Sequence, residues 1–480
     1  MLEKLKSLSK DTLIYGTNTI VGRFLNFLLV PFYTNMFLPA EYGIVAILYS
    51  YIAILNVFFS IGLESGYMKF ASTEEVGTKK QNFSNPFILV FFNSFFLSGF
   101  IFIFASDLTG IFQINQNYSY LIQYSALILF FDTLVLIPFA FLRLHNKAKS
   151  FAGIKILNII ITVILNLVLI LYFKFGIEAV FISNLTASVI TFIILIPLVL
   201  KNIDLSFNKE LISELLRFSL PYIPAGIAAN LVQIIDRPIL KYLTDDKTVG
   251  IYQANYRLGI FMMLIVAMFE YAWRPFFLNN AKEPNARVIF SKVLTYFLIG
   301  GSFIFLIITV FISDVVKMDL PFGFHLIGES YWAGLSIVPV VLFAYLLNGM
   351  YVNFMAGIYI EKKTKYLPLV TGLGAAANVI SNFILIPEYS YMGAAFATLI
   401  SYLVMMIGLF YFSNKFYKIN YEYKKISLIF LSLFIATGLY YLTTYSLTLP
   451  WYLNIVFPLI FLILIFSFRV MDIKLLKKIL

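Results

Sequence analysis

Apolar runs of about twenty residues, parted by short polar stretches, recur along the whole chain, and a run of that length is what an α-helix needs to cross a bilayer. Fourteen such runs can be read, near 12–35, 42–65, 84–105, 119–142, 152–173, 176–200, 216–243, 248–273, 290–312, 333–356, 366–386, 391–413, 426–446 and 451–469. The pattern predicts an all-α integral membrane protein with fourteen transmembrane helices. Two runs carry polar residues at helical spacing. In the first, Thr12, Gly16, Thr19, Arg23 and Asn26 share one face; in the seventh, Ser219, Tyr222, Gly226, Asn230, Gln233 and Arg237 do the same. A lipid-facing helix gains nothing from a polar stripe, so each stripe is expected to face a wet cavity between lobes.

The runs also repeat. Pro31 and Gly43 recur as Pro238 and Gly250, an offset of 207 residues, and Tyr49 recurs as Tyr256. Asn166 and Gly176, in the fifth and sixth runs, are echoed by Asn382 and Gly393 in the eleventh and twelfth. The echo predicts two six-helix lobes, 1–200 and 201–414, followed by residues 415–480 with two further helices and a tail. Both lobes enter the membrane from the same side, which makes the repeat parallel and the expected shape a V with its cavity at the junction. The charged residues do not follow the repeat: at the same offset Arg23 meets Asn230 and Arg257 meets Ser50.

Composition agrees with the pattern. The 480 residues are 61% hydrophobic and 12% charged, against about 45–50% and about 25% in ordinary soluble domains. A net charge of +11 would suggest nucleic acid in a soluble chain. Here 28 of the 35 Lys and Arg residues fall in loops on one face and 4 on the other. That split places both termini in the cytoplasm and leaves no nucleic-acid partner to invoke. The chain has no cysteine and only two histidines, His145 and His325, at no metal-ligand spacing. No cleavable signal peptide is read at the start. Every loop is short, so no soluble catalytic domain is expected and the chain reads as a non-enzyme without a cofactor.

Charge inside the spans carries the candidate chemistry. Arg23 lies mid-span, either as an anion-binding group or as the partner of a buried ion pair with Asp132. Arg237 and Arg257, with Asn26, Asn230 and Gln233, complete a candidate substrate-binding set. Asp132 and Asp236 could neutralise an arginine or carry a coupling ion. Glu270 with Arg274, and Glu64 with Lys69, are either interfacial pairs or an inner gate. The intramembrane Asn158, Asn166, Asn378 and Asn382 are expected to hold helices together.

Three segments carry a family resemblance. They are Asn378-Val379-Ile380-Ser381-Asn382 through Pro387 with Gly393-Ala394-Ala395; Gly22-Arg23-Phe24-Leu25-Asn26-Phe27 leading to Pro31 and Tyr42-Gly43; and Gly250-Ile251-Tyr252-Gln253-Ala254-Asn255-Tyr256-Arg257. Together they resemble the Wzx-like O-antigen and capsule flippases of the multidrug/oligosaccharidyl-lipid/polysaccharide exporter superfamily. The resemblance implies a bacterial inner-membrane protein with a MATE-like fold. It would carry undecaprenyl-pyrophosphate-linked oligosaccharide from the cytoplasmic to the outer leaflet by alternating access, for O-antigen, capsule or exopolysaccharide. A proton or sodium gradient would drive it, and a polysaccharide polymerase and other assembly proteins would be partners. Guanidinium groups suit the pyrophosphate because their rigid fork stays charged. A lipid II flippase and a multidrug antiporter are the alternatives within the superfamily, and a polytopic glycan polymerase the alternative outside it.

Overall fold

The computed structural model describes residue 22, residues 27–446 and residues 450–471. Among the described residues there is no strand, only an isolated antiparallel bridge between Leu320 and Phe324. Helices are what lipid demands, because they satisfy their backbone internally. In chain order they begin α1 (Phe27–Met36), α2 (Pro39–Ser60), α3 (Leu63–Thr73), α4 (Lys79–Ile103), α5 (Ala105–Phe112) and α6 (Ser119–Leu134). Then come α7 (Leu136–Leu144), α8 (Ala148–Leu167), α9 (Glu178–Asn202), α10 (Lys209–Ser219), α11 (Tyr222–Ile234), α12 (Asp236–Leu243) and α13 (Asp246–Tyr256). The rest are α14 (Ile260–Asn280), α15 (Ala286–Val316), α16 (Val338–Ile360), α17 (Tyr366–Phe416), α18 (Tyr423–Ser446) and α19 (Val456–Ser467).

Among the described residues, 11 helical stretches are long and apolar enough to cross a membrane. The protein is therefore a multi-pass membrane protein. Most of the first expected span, with Arg23 and Asn26, lies outside the described residues. The eleventh and twelfth spans run together as α17, which bends at Ser390 (φ 51°, ψ −132°). Gly393 sits three residues after that bend, where a Cβ would overlap the Leu385 carbonyl. The Pro387–Gly393 pattern thus encodes a tight turn between two helices. Gly393→Val forces a side chain into unyielding backbone, and is expected to cost about 1–3 kcal/mol, read as a lower unfolding temperature of the purified protein.

The chain packs as two compact units, to Gln253 and from Ala254 onward. The lobe boundary expected at residue 200 is a boundary of the repeat, and this division does not bear on it. In the first unit the core joins α3, α4, α7 and α10 through Leu63, Tyr67, Phe83, Ile137, Leu211 and Leu215. In the second, Trp273 of α14 packs on Phe269, Phe277 and Phe290 and donates to the Asn353 carbonyl at 3.2 Å. The last two helices close on α15 through Val310, Tyr440 and Phe457.

The intramembrane asparagines sit in matching places. Asn166 donates to the Thr162 carbonyl at 2.8 Å, and Asn382 to the Asn378 carbonyl at 2.9 Å. Both are fully buried, and Tyr33 of α1 donates to Asn166 Oδ1 at 2.9 Å. Asn158 bridges α8 to Thr191 of α9 at 2.9 Å.

Candidate functional site

Two spans of the first unit are interrupted, and their interruptions meet. The second span breaks between α2 and α3 at Ile61 and Gly62, both at positive φ (48° and 66°). The carbonyls of Phe58 and Phe59 before that break accept from Asn93 Nδ2 at 2.9 Å each. The seventh span breaks at Leu220–Pro221 and again at Ile235. Pro221, Pro224 and Pro238 each remove a backbone donor from the helix ladder there. A side chain at Gly62 would collide with the Ser219 carbonyl, so glycine is what lets the two breaks touch. Interrupted membrane helices leave polar backbone that must face protein or a wet cavity.

An open cavity of about 600 Å³ lies along these breaks, lined by Ala53, Asn56, Val57, Ser60 and Gly62 on one side and Tyr222, Ala225, Gly226 and Asn230 on the other. Of the polar stripe read in the seventh span, Tyr222, Gly226 and Asn230 line the cavity, whereas Ser219, Gln233 and Arg237 do not. Asn230 lines the cavity and donates to the Ala53 carbonyl at 2.9 Å, joining α11 to α2. Asn56 and Ser60, on the opposite wall, were not singled out by the sequence.

Below the second break lies a buried charge pair. Arg237 Nη1 donates to Asp236 Oδ1 at 2.6 Å and to the Gln233 carbonyl at 2.5 Å, and its Nε donates to Gln253 Oε1 at 3.0 Å. Tyr252 donates its hydroxyl to Asp236 Oδ2, and its ring lies under the guanidinium at 5.5 Å. Asp236 is 2% and Arg237 6% exposed. Gln233 joins this network through its carbonyl while its side chain is exposed, and Asp236 and Arg237 neutralise each other inside a network that ties α12 to α13. Arg257 differs: it is exposed, in the single turn Arg257–Gly259 between α13 and α14.

Asp132 is held by α9. Ser188 donates to Asp132 Oδ1 at 2.5 Å, and Asn184, one turn away, donates to the Tyr49 hydroxyl at 2.8 Å. Lys155 is within electrostatic reach of Asp132, Glu64 and Arg143, and its ammonium lies 4.3 Å over the Phe139 ring. By sequence Lys155 and Arg143 read as loop charges; here they join a polar wall built by α3, α6, α7, α8 and α9.

The two expected gate pairs part company. Glu64 accepts from Arg143 of α7, not from Lys69. Lys69 lies instead between the rings of Phe70 and Phe218, 4.7 Å from each. Glu64 and Lys69 are five residues apart on α3, a spacing that turns them to different faces of the helix, and the Lys69 ammonium meets aromatic rings instead. Glu270 and Arg274 do pair, at 3.5 Å, and Arg274 also donates to the Tyr359 hydroxyl at 3.0 Å. Just outside the spans, the Thr248 N–H donates to Asp245 Oδ1 at 2.7 Å, which holds the Asp245 carboxyl below the ordinary range and caps α13.

The sequence profile of the polysaccharide biosynthesis protein family matches residues 35–277. The chain belongs to that family. All of the cavity, the buried charge pair and the Asp132 wall fall inside the matched segment. No curated protein matches this family member in sequence. Its fold is that of the multidrug/oligosaccharidyl-lipid/polysaccharide exporters. The lipid II flippase MurJ, in an inward closed conformation, superposes with a TM-score of 0.74 at 18% identity, covering 95% of this chain and 98% of MurJ. An inward-facing multidrug MATE transporter gives 0.66 at 13% identity over 82% of this chain and 94% of its own. The Vibrio cholerae MATE transporter VcmN gives 0.59 at 12% identity over 86% and 96%.

Proposed function

We propose that this protein is a flippase for undecaprenyl-pyrophosphate-linked oligosaccharide repeat units, carrying them from the cytoplasmic to the outer leaflet of a bacterial inner membrane by alternating access. The observation that carries the reading is the cavity at the interrupted second and seventh spans, to which Asn56, Ser60, Tyr222 and Asn230 bring amides and hydroxyls among small apolar residues. It lies in a multi-pass member of a polysaccharide biosynthesis family. A glycan needs hydroxyl- and amide-bearing walls, and a cavity that stays open on one side can leave the lipid tail in the bilayer. The resemblance in fold to a lipid II flippase supports cargo with a polyprenyl-linked headgroup. On this reading the protein is a transporter, not an enzyme. Arg23 and Arg257 are the candidate pyrophosphate contacts, since Arg237 is engaged by Asp236. Asp132, with Lys155 beside it, is the candidate group for proton or sodium coupling, and a polymerase would take the cargo on the outer side.

The test is a deletion strain. Lipid-linked repeat units are expected to accumulate in the cytoplasmic leaflet and to clear when the gene is restored. Their absence from the deletion strain would sink the proposal, and accumulation of the peptidoglycan precursor instead would move the assignment to lipid II.

A further inference from the structure

Gly43 and Gly250 stand 207 residues apart in the repeat, and they touch. A Cβ on Gly43 would overlap the Asp246 carbonyl and lie 3.1 Å from the Gly250 nitrogen. A Cβ on Gly250 would overlap the Pro39 carbonyl and lie 3.1 Å from the Gly43 nitrogen. Pro39 and Asp246 are also 207 residues apart. Each helix therefore presents the same pair, a first-residue carbonyl and a glycine four residues later, to its repeat mate. The contact is reciprocal and backbone on backbone, which no residue but glycine permits.

Both helices begin at this contact. Glu41 accepts from the Leu38 N–H at 2.8 Å at the start of α2, and Asp245 caps α13. Each start thus has a cap contact of its own that does not involve the other helix. The α13 side is also tied to its neighbour. Lys241 of α12 pairs with Asp246 at 2.8 Å, and Asp236 and Arg237 hold Tyr252 and Gln253. These links make α12 and α13 one stiff piece. Neither glycine has a side chain to bond across the crossing, so what meets there is backbone against backbone. The crossing is thus a joint between two parts that each carry their own links.

We infer that the Gly43–Gly250 crossing is a latch that closes the α2–α11 cavity toward the face poor in basic residues, and that separating α2 from α13 opens it. The inference rests on the alternating-access reading above, but its test needs no substrate. The chain has no cysteine, so Asn56→Cys places a single thiol on the cavity wall. Membrane-impermeant maleimide is applied to each side of oriented vesicles. Gly43→Ala or Gly250→Ala should wedge the crossing apart, raising labelling from the face poor in basic residues about tenfold, a bias of about 1.4 kcal/mol, and lowering it from the other. Gly99→Ala, where an added Cβ meets open space, should leave both rates unchanged. Unchanged labelling in folded Gly43→Ala and Gly250→Ala proteins would overturn the latch. Failure of both to fold would overturn it too, because a joint that cannot part without unfolding is not a latch. The deletion-strain result is independent of either outcome.

Discussion

Arg237→Ala is expected to destabilise the first compact unit by about 3–5 kcal/mol, the range for removing one partner of a buried ion pair. The change leaves the Asp236 carboxylate 2% exposed, with Tyr252 as its remaining side-chain donor. It also strands Gln253 Oε1, which accepts from Arg237 Nε. Arg237→Lys keeps the charge but loses the planar fork that reaches Asp236, Gln233 and Gln253 together, so it should fall between wild type and Ala. Asp236→Asn combined with Arg237→Gln removes both charges and should cost less than Arg237→Ala alone. Unfolding of the four purified proteins, wild type and these three variants, checks this order of stability. An Arg237→Ala protein as stable as wild type would mean that the pair is not structural, and would return Arg237 to the set of cargo contacts.

That pair marks a limit of the sequence. Asp236 and Arg237 are neighbours in the chain, and neighbours on a helix do not face each other. What joins them is the break at Ile235 and two residues of α13, Tyr252 and Gln253, sixteen positions on. No periodicity carries that information. Glu64 is a similar case: its partner, Arg143, is 79 residues away, and the loop count had assigned Arg143 to the membrane surface. The repeat was more legible. Asn166 and Asn382 make the same bond one turn back, and Gly43 and Gly250 meet across it, because positions fixed by helix contact tolerate few residue types. The polar stripe of the seventh span was legible as a face, from Tyr222 through Asn230. Its interruptions fall beside Pro221 and Pro238, but a proline in a membrane span can kink a helix without ending it, so the apolar run 216–243 reads as one helix. Arg23 and Asn26 lie outside the described residues, and their part in the site stays with the proposal.

Asn56→Trp combined with Ala225→Trp is expected to abolish surface polysaccharide, a loss of tenfold or more, while the amount of folded protein stays near wild type. Both residues line the 600 Å³ cavity, Asn56 from α2 and Ala225 from α11. Two indole rings would fill much of its width, and the cavity is open, so the added bulk has room that a closed core would deny. The contrast with Arg237→Ala separates path from scaffold. Damage to the buried pair lowers stability and transport together, whereas obstruction of the cavity lowers transport alone. Lipid-linked repeat units should then build up in the cytoplasmic leaflet as they do in the deletion strain. Normal surface polysaccharide from a folded double-Trp protein would show that cargo does not pass between α2 and α11, and the cavity would lose its place as the glycan path.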